Sequence, residues 1–170
     1  MTNAPSALPY LDSKPRGAAD FYFAINATFR FIRRRFGLAG LQGYWADIGH
    51  GYFAPVTERW KRGGLAAVAE YWRAFFASEP GGDVQVDCGD EGAVIDVRTC
   101  PAIAHLRAGS REIDPDFCQH CYFIGEAMAA PAGFTVRIEG GDGKCRQRYL
   151  KRGATKGDQD LGAIRRISPC

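Results

Sequence analysis

The sequence has no long apolar run and little net charge. No stretch of its 170 residues approaches the length of a membrane span. The first residues, MTNAPSALPYLDSKPRG, show neither the apolar core nor the cleavage pattern of a secretory signal. We therefore expect a cytoplasmic protein with no membrane partner, in a compartment where thiols stay reduced. The net charge of +3 is too mild to indicate a nucleic-acid partner.

The chain also lacks a phosphate-binding glycine loop, a Ser-His-Asp arrangement and an internal repeat. Nucleotide-dependent and serine-hydrolase chemistry therefore have no motif to support them. The composition is that of a globular protein, with 46% hydrophobic and 24% charged residues. A chain of this length predicts one domain with a substantial core.

The first half of the chain predicts helices. Apolar residues recur at helical spacing over residues 17–36, 44–62 and 65–78. Gly37 and the pair Gly63-Gly64 are natural breaks between these stretches. Residues 1–16 hold three of the nine prolines and predict a flexible N-terminal arm.

The second half predicts strands with one helix inserted. Apolar and polar residues alternate over residues 84–88, 93–100, 134–138 and 145–150, and GDEG and GGDG supply hairpin turns. Asp114-Pro115 is typical of a helix start, and this helix would run to about Ala130. We predict an α+β domain over 17–150, with N-terminal helices packed on an antiparallel-rich four-stranded sheet and a cysteine-bearing helix between the two hairpins. Residues 151–170 predict a basic C-terminal tail.

Four of the six cysteines fall where three of these elements could meet. Cys118 and Cys121 form a C-x-x-C motif at the predicted helix start, which puts both sulfurs on one helix face, one turn apart. Cys100 ends a strand, and Cys145 begins another. If those two strands are antiparallel, both ends and the helix start lie at one edge of the sheet. Four sulfurs would then converge, as they do around tetrahedral zinc or an iron–sulfur cluster.

The other two cysteines do not fit this geometry. Cys88 would pair near Ala93, about 20 Å along the strand from Cys100, and we interpret it as a small core hydrophobe. Cys170 is the last residue. A redox dithiol and ordinary core cysteines are the alternatives for the four, and their spacing does not distinguish zinc from a cluster.

Three stretches resemble a known family. RTCPAIAHL, DPDFCQHCYFIGEAMA and TVRIEGGDGKCRQRYL are similar to the L-2-amino-thiazoline-4-carboxylic acid hydrolase family and, more distantly, to the 4-vinyl reductase domain, a small-molecule-binding or sensory module. By motif, the similarity covers residues 98–150. Cys100, Cys118 and Cys145 match the family's cysteines, whereas Cys121 stands where the family has an aspartate. An all-sulfur site is more closed and is less suited to activating water.

The resemblance implies hydrolytic opening of a thiazoline-type C=N/C–S ring beside the cysteine-ligated metal. His120, between the two helix cysteines, and Asp116, just upstream, are the candidate acid/base residues. A solvent-facing His120 and a helix-start role for Asp116 are the alternatives. Two other functions stay open, a zinc-stabilised small-molecule-binding or sensory domain and a cluster-bearing redox protein.

An aromatic segment predicts the wall of a small-molecule pocket over the sheet. The side chains expected there are Tyr44, Trp45, His50 and Tyr52. A packed core position is the alternative for His50. Arg98 and Arg146, each beside a proposed ligand, would bind a substrate carboxylate. A small molecule is therefore the expected partner, and a homodimer is left open.

Overall fold

A computed structural model describes residues 18–155 and 157–169, so the arm expected at 1–16 and Cys170 lie outside the described residues. Two long helices come first in the chain, and a sheet with two further helices inserted follows, which confirms the α+β class. The helices are α1 (Phe21–His50), α2 (Ala54–Ser78), α3 (Pro101–Ala108) and α4 (Gln119–Ala129). The strands are β1 (Asp83–Gly89), β2 (Gly92–Thr99), β3 (Phe134–Gly141), β4 (Lys144–Lys151) and β5 (Ile164–Arg165).

Glycines bend the two long helices rather than ending them. Gly37 adopts φ 72° and ψ −176° inside α1, and Gly64 adopts φ 65° and ψ −158° inside α2. Only glycine enters this region without a steric cost, so one residue leaves the helical path and the next resumes it. The three predicted helical stretches are therefore two kinked helices. The predicted stretch 44–62 is divided between the two, because α1 ends at His50 and α2 begins at Ala54.

The described residues form a five-stranded sheet in the order β1-β2-β4-β3-β5. The pairings β1–β2, β2–β4 and β3–β4 are antiparallel, and β3–β5 is parallel. The predicted antiparallel pairing of β2 with β4 is confirmed, with Val97 opposite Cys145. The predicted count of four strands is one short, because β5 was assigned to the basic tail. Ile164 and Ile167 of that segment are buried, so the folded domain extends beyond residue 150.

The region before α4 differs from the prediction. The helix was expected to begin at Pro115, but residues 114–118 form tight turns and α4 begins at Gln119. Asp114 caps the first of these turns, since its Oδ1 accepts the N–H of Asp116 at 2.9 Å. The short helix α3 was not predicted, although Pro101 stands at its first turn, where proline is favoured.

Two apolar clusters form the core, and the cysteines lie where they meet. The first packs α2 and α4 on the sheet around Trp60, Ile95 and Tyr149. The second packs α1, α3 and α4 together around Trp45 and Leu106. All four cysteines of the predicted site pack against the first cluster, and Cys100 and Cys118 also pack against the second. Within the described ranges, no helix is both long and apolar enough to cross a membrane.

Candidate metal and ligand site

A cavity of about 460 Å³ lies between α1, α2 and the inner face of the sheet. This volume is in the range of small-molecule sites. Its walls are mainly aromatic and aliphatic, and they include Tyr22, Phe29, Tyr44, Tyr52, Phe53, Tyr71, Trp72, Phe75, Phe76, Ile124 and Ile138. Cys100, Cys118, Cys121 and Cys145 also line it. The four cysteines named from the sequence therefore lie on the wall of one cavity.

Each thiol reaches the cavity from the end of an element. Cys100 follows β2 and is the N-cap residue of α3. Cys118 is the N-cap residue of α4, and Cys121 lies in the first turn of that helix. Cys145 lies near the start of β4, opposite Val97, which also faces the cavity. Three segments far apart in the sequence thus supply the four sulfurs.

N–H groups surround these sulfurs. The backbone amides of Ala102 and Ile103, at the start of α3, act to lower the pKa of Cys100, although its side chain makes no cap hydrogen bond. Those of Asp142 and Gly143 act to lower the pKa of Cys118. The side-chain amide of Gln147 lies 3.6 Å from Cys145 Sγ and lowers the pKa of both Cys145 and Cys121. Such donors stabilise a thiolate more than a thiol.

Burial nevertheless keeps the thiols protonated at neutral pH. It raises the pKa of Cys100 to about 11 and those of Cys118 and Cys121 to about 12. Burial and the neighbouring Cys121 raise the pKa of Cys145 further. The thiols also raise one another's pKa values, because several thiolates in one apolar space repel each other. A cation among them would remove both penalties.

The donor set suits a thiophilic metal, but the thiols are not drawn together into a ready-made site. Within residues 18–155 and 157–169, no three His, Cys, Asp or Glu side chains are grouped closely enough to hold an ion. The four sulfurs and their N–H donors are the chemistry of zinc–thiolate and iron–sulfur centres. A metal bound by these residues would therefore have to draw the thiols closer as it binds.

His120 lies in the cavity, buried among Phe29, Trp45 and Phe117. Burial lowers its pKa, so the ring is neutral at pH 7. Its Nδ1 lies against the carbonyl oxygen of Phe117 and must carry the hydrogen, since a carbonyl only accepts. Nε2 is then the acceptor, and it lies 3.5 Å from Cys121 Sγ. His120 therefore lines the cavity and does not face solvent.

Asp116, the other acid/base candidate, is not among the residues that line the cavity. It is buried in an ion-pair cluster, bonded to Arg33 and, at 3.0 Å, to Arg166. Its neighbour Asp114 also pairs with Arg33, at 3.3 Å. Asp116 therefore ties α1 and the C-terminal segment to the turn before α4, and this structural position replaces the catalytic one.

The aromatic segment divides between cavity and core. Tyr44 and Tyr52 line the cavity, as predicted. Trp45 is fully buried on the next face of α1, where its ring packs edge-on to Phe29 at 5.2 Å between centroids. His50 is exposed at the end of α1, so neither it nor Trp45 contributes to the cavity wall. The cause is helical geometry, because adjacent positions on a helix point in different directions.

The two predicted carboxylate-binding arginines face away from the cavity. Arg146 Nε lies 3.5 Å from Asp96 Oδ1, and Arg98 donates to the side chain of Gln85 at 2.8 Å. Both pairs are on the outer face of the sheet. Arg98 follows the inward-facing Val97 and Arg146 follows the inward-facing Cys145. Neighbours in a strand point to opposite faces, so both arginines point outward. The proposed role for Arg98 and Arg146 is corrected on this ground.

Cys88 also needs a correction. Its pairing with Ala93 is as predicted, but its side chain is exposed rather than in the core. Two contributors to the site were missed from the sequence, Gln147 and the Asp142–Gly143 turn. Gln147 could have been found, since it lies two residues from Cys145 on the same strand face.

Comparisons of this chain with models of protein families, with curated proteins and with solved structures give no match.

Proposed function

We propose that the protein is a small-molecule-binding domain with a metal, zinc in the first instance, held by four thiolates on the wall of its ligand cavity. The observation that carries this proposal is that Cys100, Cys118, Cys121 and Cys145 come from three separate segments and face one apolar cavity. Cysteines that served only as core residues would have no reason to share one open space.

The metal part of the proposal draws on the surroundings of the sulfurs. Backbone amides act to lower the pKa of Cys100 and Cys118, and these amides are fixed in place by α3 and by the β3–β4 turn. A bound zinc ion would keep the thiols deprotonated and would join α3, α4 and β4 through one centre. An iron–sulfur cluster uses the same donors and is the alternative cofactor.

The ligand part of the proposal follows from the charge of the walls. Among the described residues that line the cavity, Lys144 has the one ionised side chain, and it is exposed at the edge. Arg98 and Arg146 face the other side of the sheet. An anion inside would be desolvated without a buried partner, at a cost of several kcal/mol. The cavity therefore favours a neutral, mainly apolar ligand over an amino-thiazoline carboxylate.

Hydrolysis is a second candidate, favoured by the position of His120. This side chain lines the cavity, and its acceptor nitrogen Nε2 faces Cys121 at 3.5 Å. A neutral imidazole in that position is able to take a proton from a bound water or substrate. A centre closed by four sulfurs would leave that water outside the metal's coordination, and this is why binding comes first in the proposal.

Metal content is the first test. The protein is purified without oxygen or chelators, its zinc and iron are measured, and its free thiols are titrated. We expect about one zinc per chain, and strong visible absorption if a cluster is present instead. Cys118→Ser should lose the metal and much of the stability, because binding is coupled to folding. Cys88→Ser is the matched control and should keep both, since Cys88 is exposed and outside the cavity.

A metal-free wild-type protein with all its thiols titratable would refute the metal centre. Equal metal loss in Cys88→Ser and Cys118→Ser would refute the assignment of ligands. The ligand class is tested by thermal stabilisation with neutral aromatic or aliphatic compounds and their carboxylates. We expect the neutral compounds to raise the melting temperature more. Stronger protection by the carboxylates would contradict the argument from charge.

A further inference from the structure

The cavity opens to solvent between α1 and α2. On this side its lining includes exposed side chains from both helices and from the loop that joins them. They are Ala24 and Thr28 in α1, Tyr52 in the loop and Phe75 in α2. The gap between the two helices is therefore an entrance through which a ligand reaches the cavity from solvent.

One hydrogen bond joins the two helices beside this entrance. Tyr22, in the first turn of α1, lines the cavity, and its hydroxyl donates to the carboxylate of Glu79, the C-cap residue of α2. Tyr22 precedes Ala24 by two residues, and Glu79 follows Phe75 by about one helical turn, so the bond spans the edge of the entrance. In the part of the chain that the structure describes, no other hydrogen bond or ion pair joins residues 21–50 to residues 54–79.

The bond between Tyr22 and Glu79 connects two different parts of the core. Tyr22 packs against the apolar cluster that α1, α3 and α4 form. Phe76, near the end of α2, packs against the cluster on the sheet, and its carbonyl accepts the Glu79 N–H at 3.3 Å. The bond therefore ties one cluster to the other beside the cavity.

This bond is of a strong type. Burial raises the pKa of Tyr22, and the neighbouring Glu79 carboxylate raises it further, so the hydroxyl keeps its proton and remains the donor. Hydrogen bonds to an ionised acceptor are roughly twice as strong as those between neutral groups. The two helices are thus held together on this side by one bond, but by one that does not open freely.

We propose that the Tyr22–Glu79 hydrogen bond is a latch on the ligand cavity, which sets the width of the entrance and breaks to let a ligand pass. The inference rests on the ligand cavity of the proposed function and does not depend on its metal. The latch is closed in the empty protein and also around a bound ligand, so its removal takes the same interaction from both states. Entry and exit then become faster together, and the affinity changes little. A side chain that only contacted the ligand would instead change the affinity, mainly through the dissociation rate.

The test measures ligand exchange in the full-length protein by stopped flow. The probe is N-phenyl-1-naphthylamine, a neutral apolar dye whose fluorescence rises when it leaves water. Tyr22→Phe keeps the ring on the cavity wall and removes the donor, Glu79→Ala removes the acceptor, and the double variant removes both. Tyr122→Phe and Glu70→Ala are the matched controls, because neither side chain lines the cavity and Glu70 is exposed on α2. The melting temperature of each variant shows whether it folds.

We expect the association and dissociation rates of each single variant to rise by about 10-fold, which is the effect of losing one hydrogen bond to a charged group, while the Kd stays nearly constant. The double variant should match the single variants, because both substitutions remove the same bond. The controls should exchange the dye at the wild-type rates. If one single variant does not fold, the other decides.

Three results would overturn the latch alone. They are unchanged rates in variants that fold, effects of the two substitutions that add up in the double variant, and a faster dissociation that is matched by a weaker affinity. A wild-type protein that bound neither this dye nor any neutral compound of the thermal tests would overturn the ligand cavity, and the latch with it.

Discussion

The packing of α4 against α1 gives a prediction that can be worked out in detail, and α4 carries Cys118 and Cys121 at its start. A Cβ added at Gly49 would lie 2.6 Å from the Ala127 Cβ and 2.7 Å from the Ile124 carbonyl oxygen, both in α4. Those atoms belong to a helix backbone or are fixed to it, so α4 would have to move as a unit. In Gly49→Ala, overpacking of this kind costs about 1–3 kcal/mol, and the cost should be near the upper end.

The higher helix propensity of alanine acts in the opposite direction and reduces the net loss in the free energy of unfolding. Replacing a helical glycine by alanine gains about 1 kcal/mol. The net destabilisation of Gly49→Ala is therefore about 2 kcal/mol, which lowers the melting temperature by about 4–8 °C in a domain of this size. Gly43→Ala is the matched control in the same helix, because a Cβ there meets nothing within 4 Å. It should be stabilised by up to about 1 kcal/mol.

Urea unfolding followed by tryptophan fluorescence measures both variants. Trp45 lies in the core between α1 and α4, so its emission also reports a displaced helix. If Gly49→Ala proved as stable as wild type while Gly43→Ala gained stability, α4 would not be seated on Gly49. The position of Cys118 and Cys121 would then need another explanation.

Three further predictions test other parts of the structure. Asn26→Leu should lower the free energy of unfolding in urea by about 2–4 kcal/mol. Buried Asn26 donates to the Glu112 carbonyl at 2.9 Å and accepts the Asp114 N–H at 3.0 Å, and leucine leaves both groups unpaired. An unchanged free energy of unfolding would contradict the importance of these two bonds. Tyr149→Phe should leave the free energy of unfolding at pH 7 within about 1 kcal/mol of wild type, because the buried hydroxyl has no hydrogen-bond partner among the residues that the structure describes. Burial raises the pKa of Tyr149 in the folded protein. Its contribution to stability is therefore fully present below pH 10 and falls as pH rises through the pKa of the unfolded chain, near 10. Between pH 8 and pH 11 the free energy of unfolding should fall less in the variant than in the wild type. Arg146→Ala should leave ligand protection in a thermal shift unchanged, since Arg146 is on the outer face of the sheet, and weakened protection would place the ligand elsewhere.

The sequence predicted the elements whose periodicity is strong and the contacts that follow from pairing them. Cys100 and Cys145 were brought together by one assumption, that β2 and β4 are antiparallel, and the register of Val97 with Cys145 confirms it. Trp45 and His50 were misplaced for a different reason. Composition marks a segment as aromatic, but the face that each position takes depends on how α1 packs on α4, and Gly49 lies at the close contact between these helices.

Short elements and isolated contacts were beyond the sequence patterns. β5 has two residues, too few for any alternation to appear, and its surroundings are basic. The carboxylate of Asp142 accepts hydrogen bonds from Arg107 and Ser168, and none of these three residues carries a local signal that it will meet the others. Arg98 and Arg146 could have been placed correctly from the sequence, because successive side chains of a strand point to opposite faces of the sheet.

The strand order also fixes a sequence of events during synthesis. β2 pairs with β4 rather than with β3, so its second edge has no partner until residues 144–151 have been made. At ordinary rates of translation, the ribosome takes on the order of seconds to go from the end of β2 to β4. During that interval a hairpin with an open edge is exposed, and open edges pair readily with other chains. The arrival of β4 therefore covers the open edge of β2 and delivers Cys145, so the nascent chain protects that edge and completes its set of four thiols in the same step.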